Sequence, residues 1–279
     1  MNSYAYYNGK FAKRDEITIP LSDRSIFFGD AIYDAAIGSY DRILWEYEHI
    51  QRFLDNANRL GIKHNLTQKY LSQLLREVAI KSMIDKYFIY FQLSRDLPTR
   101  THSANGCGSN LLITVDPLEI KPNFTPLKLM TIEDLRYGYC DIKTVNLLPA
   151  VLSATKAENA GCDEAIFIRN GIVTECTKSN IAIIKQGRVI THPRSNKILP
   201  GITREHLRLI CDKMSIPFDE RKFTVDEMMS ADEILVTSTT KLCKTVGYID
   251  AVPVGGNDPY LASKICENMY KEYVDLCLK

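Results

Sequence analysis

The sequence carries almost no excess of charge of either sign: across 279 residues, 35 Lys and Arg stand against 34 Asp and Glu. A balanced chain offers no global field to gather nucleic acid or an anionic membrane, so any anion site has to be built locally. No apolar run is long enough to span a bilayer. The opening MNSYAYYNGKFAK has neither an apolar signal core nor a basic amphipathic presequence, and a cytoplasmic location is expected. The 8 cysteines lie scattered from Cys107 to Cys277 without a Cys-x-x-Cys pair. They read as reduced thiols rather than a disulfide framework, and no metal site is expected. Internal repeats and low-complexity tracts are missing too. What remains is the composition of an ordinary globular protein, long enough for one large or two modest domains, each with its own core.

The patterned segments that are present are short. Tyr6-Tyr7-Asn8-Gly9-Lys10-Phe11 sets Asn-Gly between strand formers, the chemistry of a type I′ hairpin, so Tyr4 to Ile19 should open a sheet. Asp23 to Ala36 is a polar lead followed by an apolar run with one tyrosine, Tyr33, and one acid, Asp34, which must find partners if buried. From Glu48 the period becomes helical, with Ile50, Phe53, Leu54, Ala57 and Leu60 on one face and Gly61 as the stop. His49 and Arg52 share a neighbouring face near its start, where the helix end favours an anion. A second helix carries Leu71, Leu74, Leu75 and Val78. Two strands follow, Tyr87 to Ser94 and Leu111 to Val115, separated by a polar loop that holds Arg100 and His102 and is too long for a simple hairpin.

Asp116 to Pro126 contains three prolines and little that packs. It places the domain boundary, giving an N-terminal domain over 1–118 and a C-terminal domain over 119–279. Beyond it come a strand from Leu127 to Thr131, a helix over Ala150 to Ala160 with Pro149 in its first turn, and two strand pairs turning at Asn170-Gly171 and Gln186-Gly187. The first of these pairs delivers Glu175. Leu199-Pro200-Gly201-Ile202-Thr203 opens a further helix, and Glu233 to Thr237 is a strand ending in the hydroxyls of Ser238-Thr239-Thr240. An amphipathic helix from Pro259 to Leu276 is expected to pack back on the second domain.

The stretch Asp141-Ile142-Lys143-Thr144-Val145-Asn146-Leu147-Leu148 places one lysine in an apolar segment. An ammonium removed from water must pair or give up its proton, and the neutral amine is a nucleophile for carbonyls and a base. Taken alone, Lys143 is better read as reaching along its stem to solvent. The helix entry at Gly201 offers backbone N–H groups to an anion, although capping uses the same residues. Together, a lysine nucleophile, a carboxylate and phosphate ligands suggest a phosphorylated carbonyl cofactor, and pyridoxal phosphate needs that set.

On these residues the chain resembles, nearly end to end, the class IV or fold-type IV aminotransferases, the group that holds D-amino acid aminotransferase, branched-chain aminotransferase and aminodeoxychorismate lyase. The resemblance implies an α+β, two-domain fold, with a smaller α/β N-terminal domain carrying carboxylate-binding residues and a larger β-rich C-terminal domain binding pyridoxal 5′-phosphate. It implies that Lys143 bonds to the cofactor aldehyde and that Glu175 faces the pyridine nitrogen. It further implies that Arg52 binds the phosphate, that Leu199 packs on the ring, and that Gly201-Ile202-Thr203 and Ser238-Thr239 form phosphate-binding turns. Tyr33 with Arg100-Thr101-His102 is similar to the carboxylate trap of the D-amino acid aminotransferases, in which the Arg-x-His loop comes from the facing subunit. His49 and Thr240 are expected on the same substrate side. Because the lysine works on one face of the cofactor, a carboxylate held on the other side of the site presents the opposite enantiomer's Cα–H. The resemblance therefore implies transamination between a D-amino acid such as D-alanine and a 2-oxo acid such as 2-oxoglutarate, carried out by a homodimer.

Three residues depart from that subgroup: Asp34 stands in place of a glutamate, Ala35 in place of a valine, and Lys178 in a stretch that the subgroup fills with serines. They bear on side-chain preference and on the reaction itself. Two other activities on the same scaffold are the alternatives, aminodeoxychorismate lyase and L-branched-chain aminotransferase. A pyridoxal phosphate-binding protein without turnover, and a Schiff-base lyase without a cofactor, are the alternatives of another class. Cys176, next to Glu175, reads as packed rather than catalytic.

Overall fold

Asn8 and Gly9 take positive φ, 45° and 96°, and turn strand β1 (Tyr4–Tyr7) back into β2 (Lys10–Lys13), as the Asn-Gly pair predicts. The computed structural model describes residues 3–123, 125–256 and 260–278. Packing divides the chain into two units. The first comprises Met1–Ile120, Ile142–Asn146 and Asp275–Lys279, and the second Lys121–Asp141 and Leu147–Val274.

In the first unit, β2 is followed by helix α1 (Arg24–Phe28), β3 (Ala31–Ser39), β4 (Arg42–Ile43), α2 (Glu46–Arg59), α3 (Gln68–Ser82), β5 (Lys86–Asp96) and β6 (Gly108–Pro117). The strands form one antiparallel sheet in the order β2-β1-β6-β5-β3-β4. The apolar stripe of α2 and the leucines of α3 bury against one face of it with Ile32, Ala36, Ile89 and Phe91. Phe53 meets Phe91 at 4.8 Å between ring centroids, a pair worth about 0.5–1.5 kcal/mol beyond the area it buries. Thr67 caps α3 by accepting the Tyr70 N–H at 3.1 Å, which contributes about 1 kcal/mol.

The Lys143 segment, expected in the C-terminal domain, packs with the first unit. The reason is a vacant edge: at Ala31–Tyr33, β3 has β5 on one side only, and residues 143–145 satisfy the other. Tyr33 N–H donates to Lys143 O at 2.9 Å, Val145 N–H to Ala31 O at 3.2 Å, and Ile32 bridges Thr144. Ile142 is buried in the same core, and Asn146 Nδ2 donates to Gly29 O at 2.8 Å. Gly29 has φ 58°, and a Cβ there would lie 2.6 Å from Asn146 Oδ1, so the clasp requires glycine.

The second unit contains β7 (Leu127–Glu133), α4 (Leu148–Asn159), β8 (Glu164–Arg169), β9 (Ile172–Cys176), β10 (Asn180–Lys185), β11 (Arg188–Thr191), α5 (Ile202–Lys213), β12 (Phe218–Glu220), α6 (Val225–Met229), β13 (Glu233–Ser238), β14 (Leu242–Ile249), β15 (Val252–Pro253) and α7 (Tyr260–Leu278). Its sheet runs β12-β11-β10-β13-β14-β7-β8-β9, with β15 on β14. The β7–β8, β7–β14 and β11–β12 pairs are parallel. The first of these needs a crossover, and α4 supplies it. Pro149 sits in the first turn of α4 and Gly161 takes φ 71° just past its end. No sequence pattern announces β14, because Lys244 and Gly247 interrupt its apolar residues. Pro259 lies outside the described residues, and α7 runs on to Leu278. Its last residues count with the first unit rather than the second, and Arg42 Nη1 donates to Leu276 O at 3.1 Å.

Candidate active site

Successive side chains of β3 point to opposite faces of the sheet, which separates two groups of candidate residues in the first unit. Asp34 faces α2 and is completely buried. Its Oδ1 accepts from His49 Nδ1, Arg52 Nη2 and its neighbour Ala35 N, each at 2.8 Å, while Oδ2 accepts from Arg52 Nε at 2.8 Å. His49 and Arg52 reach one carboxylate because they are three apart on α2. Burial alone raises the carboxyl pKa, but the Arg52 guanidinium and His49 outweigh it and hold Asp34 well below the usual carboxylate range. His49 is lowered, chiefly by burial, with Asp34 opposing and Arg52 and Lys143 adding to it. A neutral ring donating from Nδ1 fits that direction, and Nε2 is buried without a partner. His49, expected on the substrate side, is thus 1% exposed and tied to Asp34 by its place beneath the sheet.

On the other face of β3, Tyr33 stacks on Tyr90 with ring centroids 5.2 Å apart. Lys143 Nζ lies over the Tyr33 ring, 4.4 Å from its centroid. Lys143 is half-buried, and no carboxylate pairs with it among the described residues. Ala35 is the next residue on this face.

Arg100 and His102 do not join Tyr33 within this chain. Both are exposed, and both rest on Phe28, Arg100 5.1 Å from the ring centroid and His102 at 5.4 Å. Their loop is held by a residue that no sequence pattern singles out. Buried Arg24 pairs with Asp30 at 2.7 Å and donates to the backbone carbonyls of Thr101 at 2.6 Å and His102 at 3.1 Å. The one signal for it is an arginine directly after the Asp23 cap of α1.

In the second unit, Glu175 is buried near the end of β9 and held from three directions. Arg136 Nη1 donates to Oε1, while Asn180 Nδ2 at 2.9 Å and Leu199 N–H at 3.0 Å donate to Oε2. Arg136 is itself fixed by Asp134, by the Lys197 carbonyl at 3.0 Å, and by the Phe167 ring 4.2 Å away. Burial works against its charge, but Asp134 and Glu175 more than offset this and raise its pKa. Sequence reasoning missed Arg136, whose partner Glu175 stands 39 positions along the chain. Asn180 Nδ2 also donates to Leu199 O at 3.0 Å. A Cβ on Gly201 would stand 2.1 Å from Asn180 Oδ1, so the entry to α5 must be glycine. That helix has no side-chain cap from its first position, and its leading N–H groups have no acceptor within the helix. Asn180 opposes Thr237 across β10 and β13, and Ser238 and half-buried Thr239 follow, with Thr240 exposed. Lys178 is exposed, its N–H bound by buried Glu164 at 2.7 Å. Cys176 is buried, which pushes its thiol well above the ordinary range.

In the second unit, helix-start N–H groups and hydroxyls suit a phosphate and a fixed carboxylate suits a protonated ring nitrogen; in the first, an amine free of carboxylates suits an aldehyde. The residues present therefore fit pyridoxal phosphate. Among the described residues no cluster of His, Cys, Asp and Glu would hold a metal ion, and no helix is long and apolar enough to cross a membrane.

Residues 32–247 match the family described as amino-transferase class IV. A D-alanine aminotransferase of Bacillus licheniformis is 34% identical over 258 residues, 91% of this chain and 90% of its own length. The fold matches a branched-chain aminotransferase from the archaeon Thermoproteus uzoniensis, solved with norvaline, at a TM-score of 0.89 and 22% identity, covering 96% and 93% of the two chains. It also matches a T.th. branched-chain amino acid aminotransferase complexed with N-(5′-phosphopyridoxyl)-L-glutamate, at 0.88 and 19% over 96% and 93%. Sequence and fold thus agree on one assignment: the chain belongs to the class IV aminotransferases, which depend on pyridoxal 5′-phosphate.

Proposed function

We propose that the enzyme moves the amino group of a D-amino acid, such as D-alanine, to a 2-oxo acid such as 2-oxoglutarate. The observation that carries this reading is the face of β3 on which Lys143 Nζ lies over Tyr33, with small Ala35 next to it. The D-alanine aminotransferase that aligns over nine-tenths of both chains supports it.

Bound pyridoxal phosphate supplies an aldehyde for the donor nitrogen and a ring that accepts the electron pair left at Cα. Lys143 is the amine that would hold the cofactor through its aldehyde, and its Nζ is placed to take up and return the donor's Cα proton. Glu175 keeps a proton at the ring nitrogen, and Arg136, Asn180 and the Leu199 N–H keep Glu175 aimed. Arg52, the N–H groups at Gly201–Thr203 and the hydroxyls of Ser238 and Thr239 would hold the phosphate, and Leu199 would back the ring. Tyr33 and Thr240 are the residues assigned to the donor carboxylate.

Arg100 and His102 complete that carboxylate trap in a neighbouring copy, so the reading includes a homodimer. Exposed apolar side chains of the first unit, Leu21, Ile26 and Phe27, offer surface for it. Assaying D- and L-amino donors with 2-oxoglutarate and quantifying the 2-oxo acids formed tests the reading. D-Alanine should exceed L-leucine by at least about a hundredfold in kcat/KM. A preference for L-leucine would overturn it.

A further inference from the structure

A cavity of about 160 Å³ opens in the second unit among Arg169 and Thr174 of the β8–β9 hairpin, His192 after β11, Lys197 in the following loop and Lys222 after β12. None of the residues assigned to the cofactor lines it, and none of its lining residues is acidic. Like charges that converge without a counter-charge repel one another. Neither Lys197 nor Lys222 has an ion-pair partner among the described residues. Arg169 is docked from one side only. Its Nη2 pairs with Asp134 at 3.1 Å and donates to Arg136 O at 2.9 Å, leaving Nε buried without a partner.

The second observation is His192. It is 1% exposed, and its Nδ1 lies 2.8 Å from the Pro193 carbonyl, which can only accept, so Nδ1 carries the hydrogen. Nε2 is then buried in the cavity wall with no partner, a cost that a ligand would relieve. Burial, then the field of Lys222, Lys197 and Arg204, lowers the pKa of this ring, with the Pro193 carbonyl opposing. The acid on the adjoining strand, Glu220, is taken by Arg204 at 3.2 Å. Every uncommitted charge at this ring is therefore positive.

We propose that the cavity binds a small tetrahedral oxyanion of the phosphate or sulfate class, held by Lys197, Lys222 and Arg169 with His192 donating from Nε2. The volume equals about five waters at roughly 30 Å³ each, room for such an ion with part of its hydration shell. It falls well short of the roughly 300–1,000 Å³ of a site for a larger organic ligand. Binding draws a proton onto His192, because the anion reverses the field that keeps the ring neutral.

The test is titration of the holoenzyme, its cofactor site filled, with inorganic phosphate by calorimetry at an ionic strength held constant with chloride. His192 Cε1–H is followed by NMR in parallel, assigned with His192→Gln or, should that variant not fold, by through-bond experiments. One phosphate per chain is expected, with the His192 resonance moving at the same midpoint. The double variant Lys197→Gln/Lys222→Gln should weaken binding by at least about tenfold, at unchanged near-UV dichroism and cofactor absorbance. Equal binding by the double variant, or a His192 resonance that stays in place, overturns the site. Glycerol phosphate in place of phosphate separates the sources: equal affinity assigns the phosphate of an ester, and loss of binding assigns the free ion.

Discussion

Replacing Asp34 by Asn removes a charge while keeping the shape, and the hydrogen-bond geometry fixes the cost. Oδ1 accepts three hydrogen bonds and Oδ2 one, all from donors. Whichever oxygen becomes NH₂, at least one donor then faces a donor, and the less costly orientation sets the amide against Arg52 Nε–H. The Arg52 guanidinium also loses its buried counter-charge. Breaking a buried pair from one side costs about 3–5 kcal/mol. Since the Arg52 side chain keeps 10% exposure, the lower end applies, about 3 kcal/mol. For a chain of this size that lowers Tm by about 6–12 °C. The pH dependence has a definite sign. Asp34 titrates well below the usual carboxylate range when folded, so its contribution is present above about pH 4 and is lost as pH falls through the folded value. Urea melts of wild type and Asp34→Asn should differ most at neutral pH and converge below about pH 4. A difference under about 1 kcal/mol at pH 7, or one that widens between about pH 4 and 2.5, would refute the assignment of Asp34 as the anchor of Arg52.

Arg136→Gln should lower kcat/KM about tenfold to a hundredfold, the equivalent of a charged hydrogen bond, and shift the pH titration of cofactor absorbance; unchanged spectra would mean Arg136 does not act through Glu175. Gly201→Ala should push Asn180 away from Glu175 and Leu199, costing about 1–3 kcal/mol by overpacking and weakening cofactor retention on dialysis; full retention would contradict the close approach. Arg24→Gln should free the Thr101–His102 backbone, raising KM for the amino donor more than it lowers kcat and exposing the loop to protease; an equally resistant loop would deny Arg24 that task.

Those residues divide sharply in how visible they are in the sequence. The hairpins at Asn8-Gly9 and Asn170-Gly171 and the α2 stripe can be read because turn chemistry and helical period are local, and the structure keeps them where the pattern puts them. Asp34, His49 and Arg52 can be named separately, but their convergence depends on α2 crossing β3, which no spacing encodes. Arg136 and Arg24 escape because each acts on a partner dozens of positions away and sits in a polar stretch without periodicity. β12 and β14 are hidden for a related reason: the first is a three-residue strand paired in parallel to β11, and the second has its apolar residues split by lysine and glycine. The Lys143 strap goes to neighbours other than those expected because chain order predicts sequence domains, while the unmet hydrogen bonds along β3 decide where the strap docks.

The pleat of a single strand has a consequence for how this enzyme can change. Position 33 lies under Lys143 Nζ and position 35 shares its face of the strand, while position 34 looks the other way, to a guanidinium of α2. Exchanging the alanine at 35 for bulkier residues can therefore remodel what the enzyme accepts while leaving the arginine's support untouched, and exchanging the acid at 34 does the reverse. Two traits one peptide bond apart are free to drift independently.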